Sequence, residues 1–264
     1  MLDRPILFLD SGIGGIPYCC HFQKRNPGEN IVYLADRLHF PYGRREKEEL
    51  VGILDWLMGK LIQAINPKIA VIACNTATIA ALTELREHYP DLPFVGTVPA
   101  IKPAALTSKT GKIGLLGTEL TIRQPYIKDL AAEFSDGEIT GIAAPELVEF
   151  VENHLHSAST EEKIKMVQGY LNRFRAAGVD VLVLGCTHFL FLLEDFRRES
   201  SPDITVFDSV DGITRRIESL IDKVAPAGNH TQTRLILTGT DTPEPSWASW
   251  AGRLNSSLSL LEKL

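Results

Sequence analysis

The sequence predicts an α/β protein of two pseudo-symmetric, doubly wound domains with mainly parallel sheets and an active site in the cleft between them. Three observations predict it. Short apolar runs alternate with helical segments along most of the 264 residues. The runs are continuous, as in Ile69-Ala70-Val71-Ile72-Ala73 and Val181-Leu182-Val183-Leu184, which marks strands covered on both faces, the condition of a parallel sheet between helices. The set of runs also recurs once, in order.

Strands are predicted at Ile6–Leu9, Ile31–Leu34, Ile69–Ala73, Phe94–Thr97, Lys112–Leu116, Ile139–Ile142, Val179–Leu184 and Thr205–Phe207, with a further one at Leu235–Leu237. Helical periodicity marks Ile16–Arg25, Lys47–Ile65, Thr78–His88, Glu161–Ala177 and Gly212–Val224. Ile6 matches Ile113, Ile31 matches Ile139, Cys74 matches Cys186 and Thr97 matches Asp208, at offsets of 107, 108, 112 and 111 residues. One such pair would mean little, but four in order point to a duplicated domain. The expected division is residues 1–97 plus 209–264 for the first domain and 98–208 for the second. Val98–Pro103 and the Asp208 region are then the two hinges, and the tail Trp247–Leu264 returns to the first domain.

A hydrophobic content of 44% and a charged content of 23% are ordinary for a globular protein. The net charge of −6, without a dense Lys/Arg stripe, speaks against a nucleic-acid partner. No apolar run approaches the roughly 20 residues of a membrane span, so no membrane association is expected. Met1-Leu2-Asp3-Arg4-Pro5 leads straight into a strand, so no signal peptide and a cytoplasmic location are expected, where thiols stay reduced.

The four cysteines are Cys19, Cys20, Cys74 and Cys186. None forms a C-x-x-C pair, and no histidine spacing beside them suggests zinc, so no metal is expected. One or both of Cys19 and Cys20 read as small core-filling residues of a helix. Cys74 and Cys186 each follow a buried strand and precede a helix, whose positive end and free N–H groups favour a thiolate. Asn75-Thr76-Ala77-Thr78 and Thr187-His188 follow them; such residues either cap a helix or bind a carboxylate.

A symmetric pair of thiols suits inversion of a carbon stereocentre, where one group removes a proton and another returns one on the opposite face. A thiol with a pKa near roughly 8.5 keeps both protonation forms accessible. No lysine in a pyridoxal setting and no phosphate cradle is evident, so no cofactor is expected. Asp10 ends the first strand in Asp10-Ser11-Gly12-Ile13-Gly14-Gly15, read as a tight turn presenting Asp10, Ser11 and backbone N–H groups to the cleft. The nucleotide fingerprint fails there, because Pro17 stands where its third glycine is required. His188, two residues from Cys186, is the natural proton partner of that thiol. Pro41-Tyr42-Gly43 reads as an ordinary turn able to offer backbone donors.

With these residues in place, the chain resembles the glutamate racemases of the aspartate/glutamate racemase superfamily. The resemblance rests on Asp10-Ser11-Gly12-x-Gly14-Gly15, Pro41-Tyr42-Gly43, Cys74-Asn75-Thr76-Ala77-Thr78 and Gly185-Cys186-Thr187-His188, with weaker matches at Gly117-Thr118, Thr121 and Asp208-Ser209. It implies cofactor-independent interconversion of L- and D-glutamate, supplying D-glutamate for peptidoglycan. It implies that Cys74 takes the proton of D-glutamate and Cys186 that of L-glutamate, assisted by Asp10 and His188. Glu152 falls where the family has a further assisting glutamate; read locally, it is a solvated residue at a helix start. Substrate contacts are implied for Asp10, Ser11, Tyr42, Gly43, Asn75, Thr76, Thr187 and His188, and a homodimer is usual. Family members activated by a peptidoglycan precursor carry an N-terminal extension; with five residues before the first strand, no such activation is expected. The sequence departs from the family at Arg37, at Phe189-Leu190 and at Glu146 and Glu149, which touch the rim of the cleft more than the acid/base pair. Two other readings stand beside this one: an aspartate or hydantoin racemase, and a non-catalytic two-lobed protein binding a small molecule.

Overall fold

In the computed structural model, which describes residues 4–124, 127, 133, 138–221 and 232–261, the chain alternates strand and helix throughout. The first stretch runs β1 (Ile6–Asp10), α1 (Ile16–Arg25), β2 (Ile31–Ala35), two 3-10 turns (Arg37–His39 and Tyr42–Arg44), α2 (Lys47–Ile65), β3 (Ile69–Ile72), α3 (Asn75–His88) and β4 (Phe94–Gly96). The middle stretch holds α4 (Ile101–Thr107), β5 (Lys112–Gly117), α5 (Glu119–Ile122), β6 (Glu138–Ala143), α6 (Pro145–Asn153), α7 (Thr160–Ala176), β7 (Val181–Leu184), a 3-10 helix (Thr187–Leu192), α8 (Leu193–Ser200) and β8 (Thr205–Phe207). The chain closes with α9 (Val210–Ile221), β9 (Thr233–Leu237), α10 (Pro245–Arg253) and β10 (Ser257–Leu260). It divides into two compact units, Met1–Thr97 with Val210–Leu264, and Val98–Ser209.

The first unit holds a six-stranded sheet in the order β10-β9-β2-β1-β3-β4, and the second a four-stranded sheet in the order β6-β5-β7-β8. All pairings are parallel. The order β2-β1-β3-β4 is thus repeated as β6-β5-β7-β8. The backbone hydrogen bonds at the strand ends repeat as well: Ala73 N–H donates to Leu9 O at 2.7 Å, as Gly185 N–H does to Leu116 O at 2.7 Å. Asp36 N–H donates to Asp10 O at 2.8 Å, and Ala144 N–H to Gly117 O at 3.0 Å.

The pairing corrects the repeat at one place. Val71 pairs with Val95, and Val183 with Phe207, so both partners recur 112 residues on. The fourth strand is therefore displaced by one residue from the predicted match, and Ser209, not Asp208, corresponds to Thr97. In strands of three residues, apolar pattern alone does not fix register; the ladder does.

Burial explains the elements. Ile6 to Leu9 and Ile69 to Ala73 have no exposed surface, consistent with helices on both faces of the sheet. On α2, Leu50, Leu54, Leu57, Met58 and Leu61 fall at helical spacing and are all fully buried, each worth about 1.5–3 kcal/mol. α7 begins with a reciprocal capping box between Ser159 and Glu162.

The structure adds elements that the periodicity does not reveal. β10 escapes the apolar pattern because Ser257-Leu258-Ser259-Leu260 is a half-exposed edge strand and not an apolar run. Helices α4, α5, α6, α8 and α10 have four to nine residues, too few to set a clear period. α4 starts inside Val98–Pro103, at Ile101. The predicted helix Gly212–Val224 starts at Val210, and its residues 222–224 lie outside the described ones, as do the last three of the Trp247–Leu264 tail. No helix among the described residues is long and apolar enough to cross a membrane.

Candidate active site

Doubly wound sheets present ligand sites beyond the carboxyl ends of their strands, where the winding reverses. That point lies between β1 and β3 in the first unit and between β5 and β7 in the second. Asp10 ends β1 and Cys74 follows β3; Gly117 ends β5 and Cys186 follows β7.

In the first unit Asp10 is fully buried. Its Oδ1 accepts the Ser11 N–H at 2.7 Å and its Oδ2 accepts the Gly15 N–H at 2.6 Å. Two amides of the loop are thereby spent on Asp10 itself: a buried carboxylate needs donors of its own, and the nearest are the amides of its loop. Gly15 is required for close approach, since a Cβ there would lie 2.7 Å from Ala73 Cβ and 3.0 Å from Ala73 O. The glycine thereby brings the Asp10 loop against the residue that precedes Cys74.

Cys74 occupies the N-cap position of α3 in extended conformation and is 7% exposed. The helix ahead of it runs fourteen residues, so its positive end faces the cysteine backbone. Asn75 and Thr76 are buried beside it. Both side-chain polar atoms of Asn75 lack a hydrogen-bond partner among the described residues. Thr78 has a structural part: its hydroxyl donates to Ile72 O at 3.1 Å and accepts the Thr97 N–H at 3.0 Å, bracing β4.

Pro41-Tyr42-Gly43 leads into a 3-10 turn rather than a simple β-turn. Tyr42 is buried, and its hydroxyl donates to Asp36 Oδ2 at 2.7 Å. Burial pushes the Tyr42 phenol well above its ordinary pKa, and the negative charges of Asp36, Cys74 and Asp10 push it further. The hydroxyl therefore keeps its proton and acts as a donor. Asp36 also accepts the Thr238 hydroxyl at 2.6 Å and His39 Nδ1 at 2.9 Å. Asp36 and Thr238 were not singled out as site residues. Asp36 carried a signal, since it follows β2 as Asp10 ends β1; Thr238 lies 202 residues away and carried none.

In the second unit Cys186 is 7% exposed and caps a 3-10 helix. The sequence suggested a helix with a strong positive end. The run Thr187–Leu192 instead buries five of its six side chains in a tighter turn before α8 begins, so a long helix dipole is not what Cys186 faces. Its charge partner is a side chain. Cys186 Sγ lies 3.9 Å from His188 Nδ1, and His188 Nε2 donates to Glu152 Oε2 at 2.9 Å. Glu152 sits in the last turn of α6, not at a helix start, which is why its carboxylate reaches the buried imidazole. Burial opposes charge on His188. Hydrogen bonds to Cys186 and Glu152, with their negative charges, outweigh it and hold the imidazole well above its usual pKa. Thr187 is buried beside Cys186. The Thr118 hydroxyl lies 3.0 Å from that of the buried Thr121.

The two units thus share a winding but differ in their buried ionisable groups: the Asp10 and Asp36 carboxyls in the first, the His188–Glu152 pair in the second. Among the described residues no group of three or more His, Cys, Asp or Glu side chains is placed to hold a metal ion.

The Asp/Glu/hydantoin racemase family model matches residues 21–217. The chain belongs to this racemase family. A glutamate racemase of Sphingopyxis alaskensis is 43% identical over 83% of each chain. One of a Roseiflexus species is 35% identical over 92% of this chain and 88% of its own. The crystal structure of Escherichia coli glutamate racemase, in complex with L-glutamate and the activator UDP-MurNAc-ala, superposes with a TM-score of 0.85 at 29% identity, covering 97% of this chain and 98% of that one.

Proposed function

We propose that the protein interconverts L- and D-glutamate by a two-base cysteine mechanism that needs no cofactor. The observation that carries this reading is that Cys74 and Cys186 hold the same place in two copies of one winding. The glutamate racemases among its relatives supply the choice of substrate.

Cys186, as thiolate beside the His188 imidazolium, removes the α-proton of L-glutamate. Cys74, as thiol, delivers a proton to the opposite face. The product leaves Cys74 as thiolate and Cys186 as thiol, and D-glutamate is processed by the reverse transfer. Asp10 serves Cys74, and Glu152 steadies His188. The buried amide of Asn75, without a hydrogen-bond partner among the described residues, suits a polar substrate group, as do Ser11, Thr76, Thr187 and the Tyr42–Gly43 turn. The D-glutamate formed would feed peptidoglycan synthesis in the cytoplasm, and the working form is a homodimer, which sedimentation velocity tests.

Chiral chromatography after incubation with a panel of L-amino acids tests the substrate. D-glutamate should form faster than any other D-enantiomer. Faster turnover of aspartate overturns the choice of substrate, and ligand binding without turnover returns the chain to a binding protein.

A further inference from the structure

Asp36 follows β2, is fully buried, and has no part in the proton transfers described above. Its carboxylate gathers donors from three segments. The Tyr42 hydroxyl reaches Oδ2 at 2.7 Å, the Thr238 hydroxyl reaches Oδ1 at 2.6 Å, and His39 Nδ1 lies 2.9 Å from both oxygens. A carboxylate so deeply buried is tolerated only where donors surround it, and it fixes those donors in return.

The same loop is tied a second time to the segment after β9. Thr238 N–H donates to Ala35 O at 3.2 Å, and Thr238 Oγ1 accepts the Leu38 N–H at 3.1 Å. Arg37 Nε donates to Thr238 O at 2.8 Å, and its Nη2 to Asp241 O at 2.5 Å. The residues between β2 and α2 are therefore held from the C-terminal part of the chain as well as from their own.

We infer that Asp36 is a positioning residue, which fixes Tyr42 and the Tyr42–Gly43 turn for substrate binding and couples that turn to the C-terminal segment through Thr238. This rests on the glutamate racemase reading, in which that turn contacts the substrate. Asp36 touches neither substrate nor thiol; it acts on affinity through Tyr42.

The test is a mutant cycle of Asp36→Asn and Tyr42→Phe, read by steady-state racemisation and by calorimetric binding of glutamate. Asp36→Asn should raise KM and the dissociation constant about tenfold, the loss of one charge-assisted hydrogen bond, with kcat within about threefold of the wild type. Tyr42→Phe should shift the same constants in the same direction. The double variant should be no worse than about the poorer single one, because both changes break one bond. Additive effects, or a fall in kcat with KM unchanged, overturn the proposal. If Asp36→Asn does not fold, Tyr42→Phe alone decides: an unchanged KM and dissociation constant overturn it. If the wild type binds glutamate but does not racemise it, the functional reading fails, while the binding constants still test the positioning role. With neither binding nor turnover, both fail.

Discussion

Asn75 is the residue whose energetics are most at odds with stability alone. A buried amide without partners costs about 1–3 kcal/mol, so an apolar side chain of similar size should relieve the strain. Asn75→Leu is expected to raise the thermal midpoint of the ligand-free protein by an amount equivalent to about 1 kcal/mol, and to abolish measurable glutamate binding. A thermal melt with and without glutamate checks both halves, and a destabilised variant that still binds would contradict the assignment. His188 makes a second case. Its folded-state pKa stands above the unfolded value near 6.5, raised by Cys186 and Glu152 against the pull of burial. The stability it contributes is complete below about pH 6.5 and is lost as pH rises through the raised value. Glu152→Gln removes one of the two raising partners, so this loss should begin at lower pH in a series of melts. In the ligand-free protein, iodoacetamide should modify Cys186 faster than Cys74, and Glu152→Gln should slow the Cys186 reaction. Mass spectrometry of the two peptides separates the rates; equal rates that ignore Glu152 contradict the thiolate–imidazolium pair.

At the scale of elements, the glycine loop after β1 packs Gly15 against Ala73, the residue before Cys74, and holds the Asp10 carboxylate through the Gly15 N–H. Gly15→Ala places a methyl 2.7 Å from Ala73 Cβ, a contact that needs the loop or β3 to shift. The expected cost is about 1–3 kcal/mol in chemical denaturation, with kcat lowered because Asp10 moves with its loop. Full stability and full activity would show that the loop tolerates the shift. The elements were legible to different depths. Strands such as Ile69–Ile72 and long helices such as Lys47–Ile65 declare themselves, because continuous apolar runs and a five-residue buried stripe have one physical reading. The 3-10 helix after Cys186 does not, because Thr187–Leu192 is buried at five of its six positions and gives no period. Nor did the Asp10 loop: its sequence shows glycines and a carboxylate, but not that the carboxylate turns back on its own amides.

For the molecule as a whole, the duplication carried most of the information. Either cysteine alone is an unremarkable buried thiol; the repeated winding gives them corresponding positions beside the reversal in each sheet. What the repeat could not convey is the asymmetry. The Asp36 network depends on Thr238 in the C-terminal segment, and the His188–Glu152 chain on the length of α6, neither of which has a counterpart in the matched strands. The two-base reading makes one demand of the intact protein: the proton that returns to the substrate comes from a group different from the one that took the first. Racemisation of L-glutamate in deuterated water, followed by proton NMR at the α-carbon, reads this. The wild type should form D-glutamate carrying deuterium at that carbon, and Cys74→Ser and Cys186→Ser should each lose about a hundredfold or more in racemisation. D-glutamate formed with its original α-proton retained, or racemisation that survives loss of either cysteine, would contradict the two-base mechanism.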